Sequence, residues 1–155
     1  MTTPEQRIPD LPEADAYLRE IGILGDMRVK IDECCKYYEI LFENTDYKIF
    51  ISERKNKEGE TIFENLWFFS EDGVSEYKNF VRSETSNLDF MALKPQISSL
   101  IDIHTNGFIP GSAGVDSTMS LEVVLYNTEA RWALSASGLN CEYLYEIFKF
   151  VKSST

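Results

Sequence analysis

This chain of 155 residues has a single histidine, three cysteines and no apolar run longer than a few residues, Leu66-Trp67-Phe68-Phe69 being typical. Crossing a bilayer as a helix takes about 20 consecutive apolar residues, so no membrane span is expected. The opening Met1-Thr2-Thr3-Pro4-Glu5-Gln6-Arg7 has no apolar signal core, and a cytoplasmic location is expected on that ground. Cys34, Cys35 and Cys141 are odd in number and include an adjacent pair. Secreted disulfide frameworks use even, separated cysteines, so reduced thiols fit better, with one of the Cys34–Cys35 pair facing the core and the other facing solvent.

Positive charge is also scarce. Fifteen Lys and Arg stand against twenty-six Asp and Glu, a net charge of −11. Up to Glu76 there are eighteen acidic and nine basic residues, or −9; from Tyr77 onward eight and six, or −2. A field of that sign repels phosphate backbones and anionic lipid head groups, which argues against nucleic-acid and membrane partners. It suits a basic protein partner.

The motifs of familiar chemistry are missing as well. There is no Gly-x-Ser-x-Gly elbow, and Gly107, Gly111 and Gly114 match neither a dinucleotide fingerprint nor a phosphate loop. Cys34-Cys35 lacks the spacing of a zinc knuckle. Asp102-x-His104-x-Asn106 resembles the start of a calcium loop, but the twelfth position is Ala113 where a bidentate carboxylate is needed. No catalytic set, metal or cofactor is expected. Asp102 and His104 would share one face of a strand, which makes them, with the Gly-rich loop 106–117, the candidate ligand-binding or enzymatic site. Arg54-Lys55-Asn56-Lys57, the one basic cluster, sits among Glu53, Glu58 and Glu60 and reads as a solvated turn.

What is present is an aromatic share of 13% and a set of alternating segments. Residues 1–12 hold three prolines and read as a mobile arm, followed by one globular unit over 13–155. Pro12 to Leu24 shows helical spacing at Tyr17, Leu18, Ile21 and Leu24. Met27 to Glu43 is ambiguous: strands 27–32 and 37–43 fit alternation, while Ile31, Cys34, Cys35, Tyr38, Leu41 and Phe42 fit a helical stripe. Strands are favoured there because Asn44-Thr45-Asp46 is a turn-forming triplet. Further strands fall at 47–53, 61–69, 97–104, 119–126 and 130–137, with Val74 to Phe80 an extra strand or a helical turn. Cys141 to Lys152 closes the chain as an amphipathic helix, with Asn140 as its cap and Leu139 and Leu144 as a hydrophobic staple.

The fold class is therefore α+β with a mainly antiparallel sheet. Seven strands and a C-terminal helix, from about Met27 to Lys152, resemble in element order a pleckstrin-homology-like barrel, with the Pro12–Leu24 helix additional. If 31–43 is helical, the alternative is a sheet packed by two or three helices. The resemblance implies a binding platform, although the basic pocket of phosphoinositide-binding members is missing. The functional expectation is a non-enzymatic protein-interaction domain, including an inhibitor or immunity-type partner of a basic protein. Its contact surface is expected on the closing helix, where Tyr143 and Phe150 flank the core-facing residues and could meet a partner or a second copy.

Overall fold

The computed structural model describes residues 8–43, 46–70, 73–77, 90–93, 100–111, 118–126 and 131–154. Three helices and seven strands run in the order α1 (Ala14–Glu20), α2 (Asp26–Leu41), β1 (Tyr47–Lys55), β2 (Thr61–Ser70), β3 (Gly73–Tyr77), β4 (Phe90–Leu93), β5 (Leu100–Asn106), β6 (Ser120–Tyr126), β7 (Arg131–Ser137) and α3 (Asn140–Ser154). The α+β class with antiparallel pairing holds. Strands β1 to β4 form one antiparallel sheet and β5 to β7 another, each in sequence order. Among the described residues the two sheets do not close into a barrel.

The stretch 27–43 is a helix, which corrects the strands expected at 27–32 and 37–43. Ile31, Cys34, Cys35 and Tyr38 recur at helical spacing and are all buried, and the Tyr38 ring stacks on Phe68 of β2 at 4.3 Å. Val29 and Ile40, which complete the two alternating patterns, stand in solvent instead. Burial of one arc therefore decides the structure. The helical frame also corrects the expected split of the cysteine pair. Neighbours on a helix lie about 100° apart, so Cys34 and Cys35 both fall within the inner arc and both are buried.

Helix α1 is shorter than the Pro12–Leu24 expected, because Gly22 ends it. Gly22 adopts φ 81°, the left-handed conformation that only glycine takes without strain. Its N–H donates to Arg19 O at 3.2 Å, and Ile23 N–H donates to Leu18 O at 2.9 Å. Leu24, beyond that stop, is exposed. On the other side of α1, Pro9 and Leu11 are buried, so part of the stretch expected as an arm is packed. Residues 1–7 lie outside the described residues.

The expected hairpin of β1 and β2 forms, and Asn56 closes its turn by accepting from Glu58 N and Glu60 N at 3.0 and 2.8 Å. Its register slips between Ser52 and Glu53, where β2 carries Glu64 as an extra residue. The extra-strand alternative for Val74 to Phe80 is realised as β3 as far as Tyr77, residues 78–80 lying outside the described residues, while β4 falls where no strand was expected. Strand β1 ends its sheet yet is deeply buried, with Ile49, Phe50 and Ile51 fully enclosed. Its edge away from β2 runs beside β7. Helix α3 lies against β6 and β7, with Cys141, Leu144, Ile147 and Val151 fully buried.

Candidate functional site

Two surfaces are open to chemistry or contact. The first begins with the alternation of β5, which places Asp102, His104 and Asn106 on one face. The antiparallel register sets His104 opposite Glu122 and Glu122 opposite Ser135, then Asn106 opposite Ser120 and Ser120 opposite Ser137. These two polar rows line a cleft of about 460 Å³, whose other side is built by Glu53 and Arg54 of β1. The β1–β2 register slip at Ser52/Glu53 lies at this same end of β1.

Across that seam the two strands are joined by side chains. Ser52 Oγ accepts from Ser135 N at 3.0 Å. The Glu53 carboxylate accepts from Ser137 N at 2.8 Å and from Ser137 Oγ at 3.0 Å. Asn140 Nδ2 donates to Glu53 Oε2 and to Ile51 O, both at 3.0 Å. The Tyr17 hydroxyl donates to Asn140 Oδ1 at 2.7 Å and accepts from Ile51 N at 2.9 Å. Burial holds the Tyr17 phenol well above its ordinary pKa, so it keeps the proton that it donates. Asn140 thus joins the two sheets instead of capping α3 through its side chain. Leu139, expected to staple against the buried Leu144, is exposed.

His104 Nε2 lies 3.7 Å from Asp102 Oδ2, with both side chains more than half exposed. That distance is too long for a hydrogen bond that would hold an imidazole tautomer. Ser137 directs its hydroxyl proton at Glu53. The Cys141 thiol lies buried under α3 and donates to Ala136 O at 3.6 Å. Burial pushes the Cys34 thiol up to about 11 and those of Cys35 and Cys141 up to about 12, which leaves all three protonated and unreactive near neutrality. Among the described residues no three metal-ligating side chains converge.

The second surface is the outer side of α2. Val29 is 59% exposed, Ile40 68% and Leu41 60%, with Tyr37 and the preceding Leu24 exposed beside them. At about 100° per residue, Val29, Glu33, Tyr37 and Ile40 form one stripe opposite Ile31 and Tyr38. The helix is therefore apolar on two sides and has only one of them covered.

The aromatic pair expected to meet a partner is engaged within the chain. Phe150 is buried, and Tyr143 is half-buried with its ring edge-on to Tyr17 at 5.1 Å. Asp102 and His104 stand 3.7 Å apart on β5, and of the two His104 lines the cleft. The loop 106–117 is described only as far as Gly111. Glu53 and the two serines of β7 escaped the sequence reading, although Ser135-Ala136-Ser137 marks a strand whose second face is small and polar.

Comparisons of the chain with family models, with curated proteins and with solved structures found no match.

Proposed function

We propose that the chain is a non-enzymatic protein-interaction domain that holds a basic protein against the outer face of α2. The observation that carries this reading is the exposure of four large apolar residues of α2, Val29, Tyr37, Ile40 and Leu41, with Leu24 exposed just before the helix. Single exposed apolar residues are ordinary, whereas a group gathered on one helix marks a contact surface. Charge names the occupant: from Asp10 to Asp46 ten carboxylates stand against four basic side chains. Two of those four, Arg19 and Arg28, are held in ion pairs with Asp15, and Arg28 also with Asp32. An apolar centre within a stretch of net charge −6, with Lys30 and Lys36 beside it on α2, fits a basic partner with an apolar core to its contact, the arrangement of an inhibitor or immunity-type protein. The order of seven strands followed by α3 supports a pleckstrin-homology-like plan, a platform for binding.

The test is capture from lysate by the native chain and by Ile40→Asp, at low and moderate salt. The expected result is a basic protein retained at low salt, released at moderate salt and lost with Ile40→Asp. Capture unchanged by Ile40→Asp, or sedimentation showing this face buried in a dimer of the chain, overturns the reading.

A second reading, a small-ligand site at Asp102, His104 and the 106–117 loop, is favoured by the presence of His104 and Asn106 in the cleft wall. His104→Ala separates the two. It leaves the basic partner bound under the first reading and removes ligand binding under the second.

A further inference from the structure

We propose that the cleft between β1 and the polar face of β5–β7 receives a primary alkylammonium group, anchored by Glu53 and Glu122. The site shares no residue with the outer face of α2, so this inference and the partner reading fail separately. It deepens the small-ligand reading by naming the ligand class.

Glu53 is only 8% exposed, yet every hydrogen bond it accepts comes from a neutral donor: Ser137 N, Ser137 Oγ and Asn140 Nδ2. Among the described residues no Lys, Arg or His pairs with it. Arg54, its neighbour in sequence and in the cleft wall, is turned to Glu64 at 2.7 Å. A buried carboxylate without a counter-cation is costly, and neutral donors offset only part of the lost hydration. An ionised carboxylate has about four acceptor positions. Three are in use here, two on Oε2 and one on Oε1, so Oε1 retains an acceptor position.

Glu122 supplies the second charge. It is half-buried on β6 in the same cleft; among the described residues no hydrogen bond or ion pair within 4 Å engages it, and Arg131 acts on it only through longer-range Coulombic attraction. Ser120 and Ser135, on the same face of the sheet as Glu122, add hydroxyls to the cleft wall, and these are neutral acceptors. A compact cation with three N–H donors matches one carboxylate, a second carboxylate and a hydroxyl. A guanidinium fits less well, because its planar fork needs both oxygens of one carboxylate and both oxygens of Glu53 are already engaged. Anions are repelled by the same pair. The cleft volume lies at the small end of ligand pockets, which run to roughly 300–1,000 Å³, room for an ammonium on a short carbon stem. That chemistry has two sources, a free polyamine or a lysine side chain of another protein.

The experiment is titration of the full chain, followed by amide resonances of Ser135 and Ser137, with four probes: 1,4-diaminobutane, Nα-acetyl-lysine amide, butylguanidine and butanol. Both amines are expected to shift these resonances saturably. Butylguanidine should bind more weakly and butanol not at all. Stronger saturation by the lysine amide assigns a protein side chain, and stronger saturation by the diamine a free polyamine. Glu122→Gln should weaken amine binding ~10-fold, the loss of one charge-assisted contact. Because Glu53→Gln disturbs the seam and can unfold the chain, Glu122→Gln decides. Equal shifts from butanol, saturation by neither amine, or amine binding unchanged in Glu122→Gln overturns the proposal.

Discussion

The Tyr17 hydroxyl and the Asn140 side-chain carbonyl meet at 2.7 Å across 123 positions of sequence. Between them they serve Ile51, whose N–H donates to Tyr17 and whose C=O accepts from Asn140. A central strand normally has such groups satisfied by its neighbour in a ladder. Here two side chains from α1 and α3 replace that neighbour for one residue.

Tyr17→Phe keeps the ring and removes the oxygen, which leaves Ile51 N–H and Asn140 Oδ1 buried without these partners. The expected loss of stability is about 2–3 kcal/mol, read as a lower denaturation midpoint with an unchanged denaturant slope. A loss no larger than that of a surface substitution would show that the seam contributes little.

Helix α2 makes opposite demands on its two faces. Tyr38→Ala should cost about 3–5 kcal/mol, as loss of a buried aromatic ring does. Ile40→Ala should stay within about 0.5 kcal/mol, as exposed positions do. A strand at 37–43 would make residues 38, 40 and 42 equivalent, so chemical denaturation of the two variants checks the helix directly.

Burial of the cysteines sets an alkaline limit. In the unfolded chain a thiol ionises near 9, whereas in the folded chain Cys34 holds its proton to about 11 and Cys35 to about 12. Between those values the unfolded state binds fewer protons, so stability falls as pH rises. The contribution is fully present below pH 9 and declines from there to about pH 12, with Tyr17 adding to the decline above its ordinary phenol range. Denaturation midpoints measured from pH 7 to above 9 should fall, and Cys35→Ala should flatten the curve.

His104→Ala should leave stability unchanged, because the ring is more than half exposed and makes no hydrogen bond to Asp102. A thermal midpoint within a degree or two of the native chain is expected, which makes this variant a clean probe of ligand binding in the cleft.

The legible parts of the fold were those where one period dominates. Met119 to Ala136 alternates on both sides of a turn-forming stretch and pairs as β6 and β7; Cys141 to Lys152 keeps helical spacing throughout and forms α3. Residues 27–43 carried two periods at once, because an outward stripe of Val29, Tyr37 and Ile40 was superimposed on the inward one. Alternation then imitated strands where function, under the present proposal, required apolar residues on the solvent side. Asn140 was misread for a related reason. Its position favours a cap, but a partner 123 residues away engages its oxygen, and no local pattern announces such a partner. For the cleft, Asp102 and His104 could be placed on one face from spacing alone. Glu53 could not, since its partner Ser137 lies 84 positions away on a strand outside its own ladder.

The seam between β1 and β7 has a consequence for how the molecule comes apart. A backbone ladder is indifferent to most substitutions, but this joint depends on Tyr17, Ser52, Glu53, Ser137 and Asn140, five side chains that separate without either sheet losing a rung. Its contacts between β1 and β7 link residues 83 and 84 positions apart, and Tyr17 reaches Asn140 across 123; loop-closure entropy makes such contacts late to form. Opening along this line moves the Glu53 carboxylate, set on one sheet, away from the serines of the other, and so takes the cleft apart while each sheet keeps its own ladder.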